Sequence, residues 1–181
     1  MPLATDKQSG LTAAMVRERL DYDLATGALT WRARLVVTRD DKTFNIKHAG
    51  NEAGCLCPRG YRYLKMRPYG MFAAGRLIWL HVTGEWPPHE IDNADGDPSN
   101  NAWANLRSAT RSENGANRGR HKNNKSGYKG VSFSDSKGGW ITQVALHKKV
   151  QKLGPFSTAE QAHAAYIDAA TKLHGQFVRL K

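Results

Sequence analysis

The apolar positions of this chain come in short groups whose spacing changes along its length. In LTAAMVRERL, Leu11, Met15, Val16 and Leu20 fall on one side of a helix. DYDLATGALTW places a Thr-Gly turn between two extended stretches. Two further glycine turns, AGNEAG and CPRGYRYLKM, make residues 21–70 read as hairpins. RLIWLHVTGEWPP returns to helical spacing through Leu77, Ile78, Leu80 and His81. It stops at Gly84, ahead of Pro87 and Pro88, through which no helix continues. A polar stretch, EIDNADGDPSNNAWANL, then forms a loop before ANLRSATRSENGANR resumes helical spacing.

From Arg118 to Ser126 the run RGRHKNNKS has no apolar anchor, which places a boundary near residue 120. Beyond it GYKGVSFS, GWITQVALHK and VQKLGPF read as three short strands. STAEQAHAAYIDAATKLHG reads as one helix, with Ser157 and Glu160 as a capping box, Ala162, Tyr166, Ala169 and Leu173 on one face, and Gly175 closing it. Strand parity puts Trp140, Thr142, Val144 and Leu146 on one side of the middle strand, and Ile141, Gln143, Ala145 and His147 on the other. The first set is expected to pack on the helix, Trp140 as core rather than as a wedge into a ligand.

Charge sharpens this division. The chain has 27 Lys and Arg against 16 Asp and Glu, a net +11, which implies an anionic partner. Residues 1–106 hold 13 basic and 12 acidic side chains, whereas residues 107–181 hold 14 and 4, so the electrostatic footprint lies in the C-terminal part. No apolar run approaches the roughly 20 residues of a membrane span, and the N-terminus lacks a signal-peptide core, so an intracellular, membrane-free protein is expected. Cys55 and Cys57 stand in a C-x-C arrangement without a second pair to complete a zinc cage, and read as reduced thiols beside a turn.

The polar loop carries the candidate chemistry. Residues 90–106 contain three Asp and four Asn, side chains that either close turns by bonding nearby backbone or present hard oxygens to a magnesium-like cation. The order D-N-A-D-G-D-P-S-N-N-A-W-A-N-L-R from Asp92 to Arg107 resembles the phage and intron-encoded HNH endonuclease pattern D-H-x-D-G-D-x-x-N-N-x-x-x-N-L-R. The likeness runs from GRLIWLHVTGEWPP to SENGANR, about residues 72–118. The resemblance implies a two-stranded ribbon and helix around one divalent metal, Mg²⁺ or Mn²⁺, with Asp92 and Asn114 as ligands and Asn105 holding the loop.

Two departures stand out. The family's general-base His is Asn93 here, and a carboxamide cannot take a proton near neutrality. The family's H-R-L reads Gly75, Arg76, Leu77. His81, several residues along a helix, is not expected to substitute. The expectation is a nuclease that is weak or dead while metal and DNA binding persist.

Residues 124–175 resemble the APETALA2-type DNA-binding domain through YKGV, GW, LGPF, STAEQAHAAYIDAA and LHG in family order, and such domains occur fused to HNH nucleases. The resemblance implies a sheet laid in the major groove of double-stranded DNA. Strand parity turns Gln143, His147 and Lys149 toward DNA, joined by Lys129, Ser132 and Ser134. Arg118, Arg120, Lys122 and Lys125 in the linker are expected to contact phosphate, and Arg107 is expected among the DNA-binding residues.

The expected architecture is therefore α+β in three parts. Residues 1–70 form a helix and hairpin-rich region, 71–119 a ββα-metal nuclease core, and 120–181 a three-stranded antiparallel sheet packed on one helix. The expected function is site-selective DNA cleavage in the cytoplasm of a bacterial or phage-infected cell, by a monomer or a dimer. A non-catalytic DNA-binding regulator is the alternative, and an RNA-binding protein a weaker one.

Overall fold

In the computed structural model, which describes residues 10–146 and 149–179, the Thr12 hydroxyl accepts the Met15 N–H and opens helix α1 (Ala13–Arg19). Leu11, Val16 and Leu20 are buried, as their spacing predicts. Strands β1 (Leu20–Tyr22) and β2 (Leu29–Trp31) form an antiparallel hairpin with Leu20 opposite Trp31. Next comes helix α2 (Arg39–His48), in a region whose sequence reads as hairpins. It has no buried residue, so it carries no apolar stripe for periodicity to detect. A Thr38 and Asp41 capping box holds it instead, together with two bonds between the Asn45 amide and the Arg34 backbone, each 2.8 Å.

Strands β3 (Cys55–Leu56), β4 (Arg62–Met66) and β5 (Gly70–Ala73) pair in that order, antiparallel, and both cysteines are free thiols. Helix α3 (Ala74–Thr83) follows β5 without a loop and ends at Gly84, which adopts φ +85°, a left-handed conformation that glycine takes without a Cβ penalty. Leu77, Ile78 and Leu80 bury against Leu20, Leu29, Leu64, Met66 and Phe72, each worth about 2 kcal/mol of burial. Strands β6 (Glu90–Asn93) and β7 (Leu106–Ala109) make a two-stranded sheet. Helical spacing therefore does not resume at Ala104. A single 3₁₀ turn, Trp103–Asn105, leads into β7, because the Asn105 carbonyl accepts the Ala94 N–H at 2.9 Å and folds the chain back as a hairpin.

The chain divides into two units, Met1–Ser108 and Ala109–Lys181. In the second, helix α4 (Arg111–Asn117) opens on a Thr110 and Glu113 capping box. Strands β8 (Val131–Ser134), β9 (Gly139–Leu146) and β10 (Lys149–Phe156) form an antiparallel sheet with β9 central, and helix α5 (Ala159–His174) packs on it. Thr142 and Val144 are buried while Gln143 and Ala145 are exposed, the alternation that parity predicts. Trp140 packs against the cluster of Val131, Ala159 and Ala162. Thr158, not Ser157, caps α5, its hydroxyl accepting the Gln161 N–H at 3.3 Å. Among the described residues no helix is long and apolar enough to cross a membrane.

Candidate active site

The β6–β7 connection shows what most of its Asp and Asn side chains do. Asp95 accepts the Asp97 N–H at 2.8 Å, the Asn100 amide at 2.7 Å and the Asn105 amide at 3.0 Å. Asn105 returns a second bond by accepting the Asp95 N–H at 3.0 Å, and its amide also reaches the Asn100 carbonyl at 2.8 Å. Asp97 closes the next turn on the Ser99 N–H and hydroxyl. Burial pushes the Asp95 carboxyl up, but the N–H bonds from Asp97, Asn100 and Asn105 together outweigh it and hold it below the usual Asp range.

The N-terminal hairpin braces this loop. The Tyr22 hydroxyl donates to the Asn101 carbonyl at 2.9 Å, and the Trp103 N–H donates to the Leu24 carbonyl at 3.0 Å. Gly27 has φ +78°, and a Cβ there would lie 2.2 Å from the Asn101 carbonyl carbon. Only glycine permits that approach. The roles of Tyr22 and Gly27 are invisible in the sequence because their partners lie some 75 residues away. The one available signal was the surplus of turn-forming residues in the loop itself.

Asp92 and Asn93 end strand β6, and both are buried. Asp92 Oδ2 accepts from Nε and Nη2 of Arg107 on β7, both at 2.8 Å. A carboxylate held by two bonds from one guanidinium is fixed in direction. Asn93 Nδ2 donates to the Asn100 carbonyl at 2.7 Å, so the side chain at the position resembling the family's base ties the loop to its strand. Gly75 lies in the first turn of α3, where a Cβ would come 3.1 Å from Ile91 Cγ2 and 3.8 Å from Asn101 Oδ1. His81 is half-buried on α3 with its ring 6.0 Å from that of Tyr22. Burial lowers its pKa, the main cause.

The ribbon thus brings Asp92, Asn93, Asn105 and Arg107 together. Asn114 stands on α4 in the second unit, its N–H donating to the Thr110 carbonyl at 2.9 Å. Among the described residues no three His, Cys, Asp or Glu side chains cluster as metal ligands. A site here would rest on one carboxylate and amide oxygens.

Of the remaining candidates, Arg118, Arg120, Lys122 and Lys125 are exposed, with Arg120 Nη1 donating to the Gly127 carbonyl at 2.8 Å. Ser132, Gln143 and Lys149 are exposed, and Ser134 is half-buried with its hydroxyl 3.2 Å from that of Ser136. Lys129 turns inward: its Nζ donates to the Ala116 carbonyl at 2.6 Å and the Arg179 carbonyl at 3.1 Å. Burial, with the Arg179 charge, lowers its pKa to about 8. His147 lies outside the described residues.

Comparison with known proteins agrees with the ribbon's pattern. Residues 72–116 match the family model described as HNH endonuclease. The chain is also similar to Protein 3.8 of Escherichia phage T7, 34% identical over 105 residues that make up 58% of this chain and 86% of the phage protein. No solved structure matches the chain.

Proposed function

Since the chain belongs to the family of Protein 3.8 of Escherichia phage T7 and carries an HNH endonuclease domain at residues 72–116, we propose that it is a metal-dependent, site-selective DNA endonuclease whose hydrolytic step is impaired at Asn93. The observation that carries this reading is the end of β6. There a buried carboxylate, oriented by Arg107, adjoins a side chain that accepts no proton.

Resemblance to the family assigns the cation, Mg²⁺ or Mn²⁺, to Asp92 and Asn114. The donors fit such an ion: a charged carboxylate and an amide oxygen are hard ligands, and two of them leave most of an octahedral shell to water and phosphate. When bound, the cation supplies charge stabilisation at the scissile phosphate. Asn105 keeps the loop in register, and Arg107 keeps Asp92 aimed. The attacking water has no side chain at position 93 to take its proton, a loss of about 10²- to 10⁴-fold in rate.

In this reading residues 1–70 brace the catalytic loop, 71–119 cut, and 120–181 place the enzyme on duplex DNA in the manner of an APETALA2-type domain. Exposed Ser132, Gln143 and Lys149, with Ser134, would meet the groove, and Arg118, Arg120, Lys122 and Lys125 the phosphates. Lys129, whose ammonium is taken by two carbonyls, would steady that surface. One such site cuts one strand per chain. The place of action would be the cytoplasm of a bacterial or phage-infected cell.

The test is plasmid nicking with Mg²⁺ or Mn²⁺ by this chain and by Asn93→His, with duplex binding followed by gel shift. An imidazole at position 93 has the Asn100 carbonyl available to fix one ring N–H, leaving the other nitrogen as base. Nicking by the His protein alone, with equal binding by both, supports an enzyme lacking its base. Equal binding and no nicking by either favours a second reading, a DNA-binding regulator on a nuclease scaffold. The buried, bonded amide of Asn93 is the observation in its favour.

A further inference from the structure

Helix α2 is unusual in burying none of its residues, since most helical stability in proteins comes from packing an apolar face. What α2 does build is one wall of a cavity of about 500 Å³ against β2 and the β4–β5 turn, a volume in the range of small-molecule and nucleotide pockets. Its flat surfaces are Trp31 and Phe44, with rings edge-on at 5.7 Å, and the Arg34 guanidinium stacked 3.6 Å from the Phe44 ring centre. Lys47, Lys65 and Arg67 stand round it, all exposed. The charged ends of these three make no hydrogen bond or ion pair with any described residue. Asp40 is the one carboxylate among the residues lining the cavity. An adjoining hollow of about 470 Å³ shares Trp31, Arg34, Phe44 and Arg67 and adds Glu18 and Asp41, so the cavity continues as a groove.

Uncompensated cations placed beside aromatic planes select a ligand that is both anionic and flat. Duplex DNA offers the phosphates but keeps its base faces inside the stack. An unpaired nucleotide offers both, its base to the rings and its phosphate to the cations. We infer that this cavity, within the first unit and built from residues outside the HNH domain, binds an unpaired nucleotide of a DNA strand. The base lies on the Trp31, Phe44 and Arg34 surfaces, and the phosphate lies among Lys47, Lys65 and Arg67. The choice of DNA over RNA rests on the endonuclease reading; the pocket's chemistry does not. A nuclease with such a site grips a displaced or frayed strand separately from the duplex.

The experiment uses the full chain in EDTA, so that cleavage plays no part and failure of the nuclease reading leaves it intact. Fluorescence anisotropy compares a labelled dT12 strand, rU12 and a mixed-sequence duplex. The variants are the surface triple K47E/K65E/R67E and Phe44→Leu, each checked for its native melting curve. For dT12 the triple variant is expected to lose at least about tenfold in affinity, with the salt slope of log K falling by about 0.7, as one lost phosphate contact on a single strand requires. Phe44→Leu is expected to cost roughly five- to a hundredfold at an unchanged salt slope. Duplex affinity is expected to stay within about twofold in both.

Folded variants that hold dT12 as tightly as the parent overturn the inference. Equal losses on strand and duplex overturn it too, by making the basic residues ordinary duplex contacts. Tighter binding of rU12 than of dT12 overturns the assignment to DNA.

Discussion

Removing the Asn105 side chain tests whether the Asp and Asn cluster is one mutually dependent structure. Asn105→Ala deletes three hydrogen bonds at once, to the Asp95 carboxylate, from the Asp95 N–H and to the Asn100 carbonyl. Each is worth about 0.5–1.5 kcal/mol net, more where a carboxylate is the acceptor, but water replaces part of each because Asp95 is exposed. About 2 kcal/mol is the expected total, which for a domain of this size lowers the melting temperature by roughly 8–15 °C. Tryptophan fluorescence reads the right transition, since Trp31, Trp79, Trp86 and Trp103 lie in the first unit and only Trp140 in the second. Asp95→Ala removes the shared bond from the other side. The double variant is therefore expected to lose less than the sum of the singles, by about 1 kcal/mol. A melting temperature within about 2 °C of the parent, or strictly additive losses, refutes the claim that these two residues hold the loop together.

Gly27→Ala is expected to cost on the order of 3 kcal/mol, combining a left-handed backbone with a Cβ pressed on Asn101, and is read as a fall in the urea midpoint. Asp95 has a lowered folded pKa, so its contribution is complete above the usual Asp range near pH 4 and lost as pH falls through the folded value. Asp95→Asn should flatten that acid limb of a stability-versus-pH curve, and an unchanged limb sinks the assignment. Lys129 behaves in the opposite sense from a paired lysine. Its folded pKa of about 8 lies below the unfolded value near 10.4, so a penalty present below pH 8 is relieved as pH rises toward that value. Denaturation of the second unit, followed through Trp140, should show stability rising over this window in the parent and not in Lys129→Met.

The two ends of the chain were legible in the sequence to different degrees, and for physical reasons. Helices α3 and α5 announce themselves because each buries an apolar stripe and ends on a glycine, Gly84 and Gly175, and α1 is marked by the spacing of Leu11, Val16 and Leu20 alone. The alternation of β9 is equally plain, with Thr142 and Val144 inward. Helix α2 carries no such signal: nothing in RDDKTFNIKH repeats at helical spacing, and its support is a capping box plus one asparagine clasping a backbone eleven residues away. Strand β7 misleads in the opposite direction, because ANLRSA suits a helix locally and only its pairing with β6, joined by the bond from Ala94 to the Asn105 carbonyl, makes it a strand. The motif located the ribbon, but not the dependence of its loop on Tyr22, Leu24 and Gly27.

On the proposed function, position 93 would have to reconcile the loss of a base with the keeping of the fold. A residue there stands between two demands: the buried end of β6 needs a polar side chain that satisfies the Asn100 carbonyl, and hydrolysis needs a proton acceptor. Histidine has two ring nitrogens and can serve both. Asparagine meets the first demand fully, with its amide 2.7 Å from that carbonyl, and the second not at all. Alanine would meet neither, removing one of the two donors on the half-buried Asn100 carbonyl while the Asn105 amide stays, at a cost of about 0.5–1.5 kcal/mol. The series His, Asn, Ala at position 93 should therefore separate the two properties, with stability nearly equal for His and Asn and lower for Ala, and nicking present for His alone. If Ala melts with Asn, the amide contributes nothing to the fold, and Asn93 is merely a missing base.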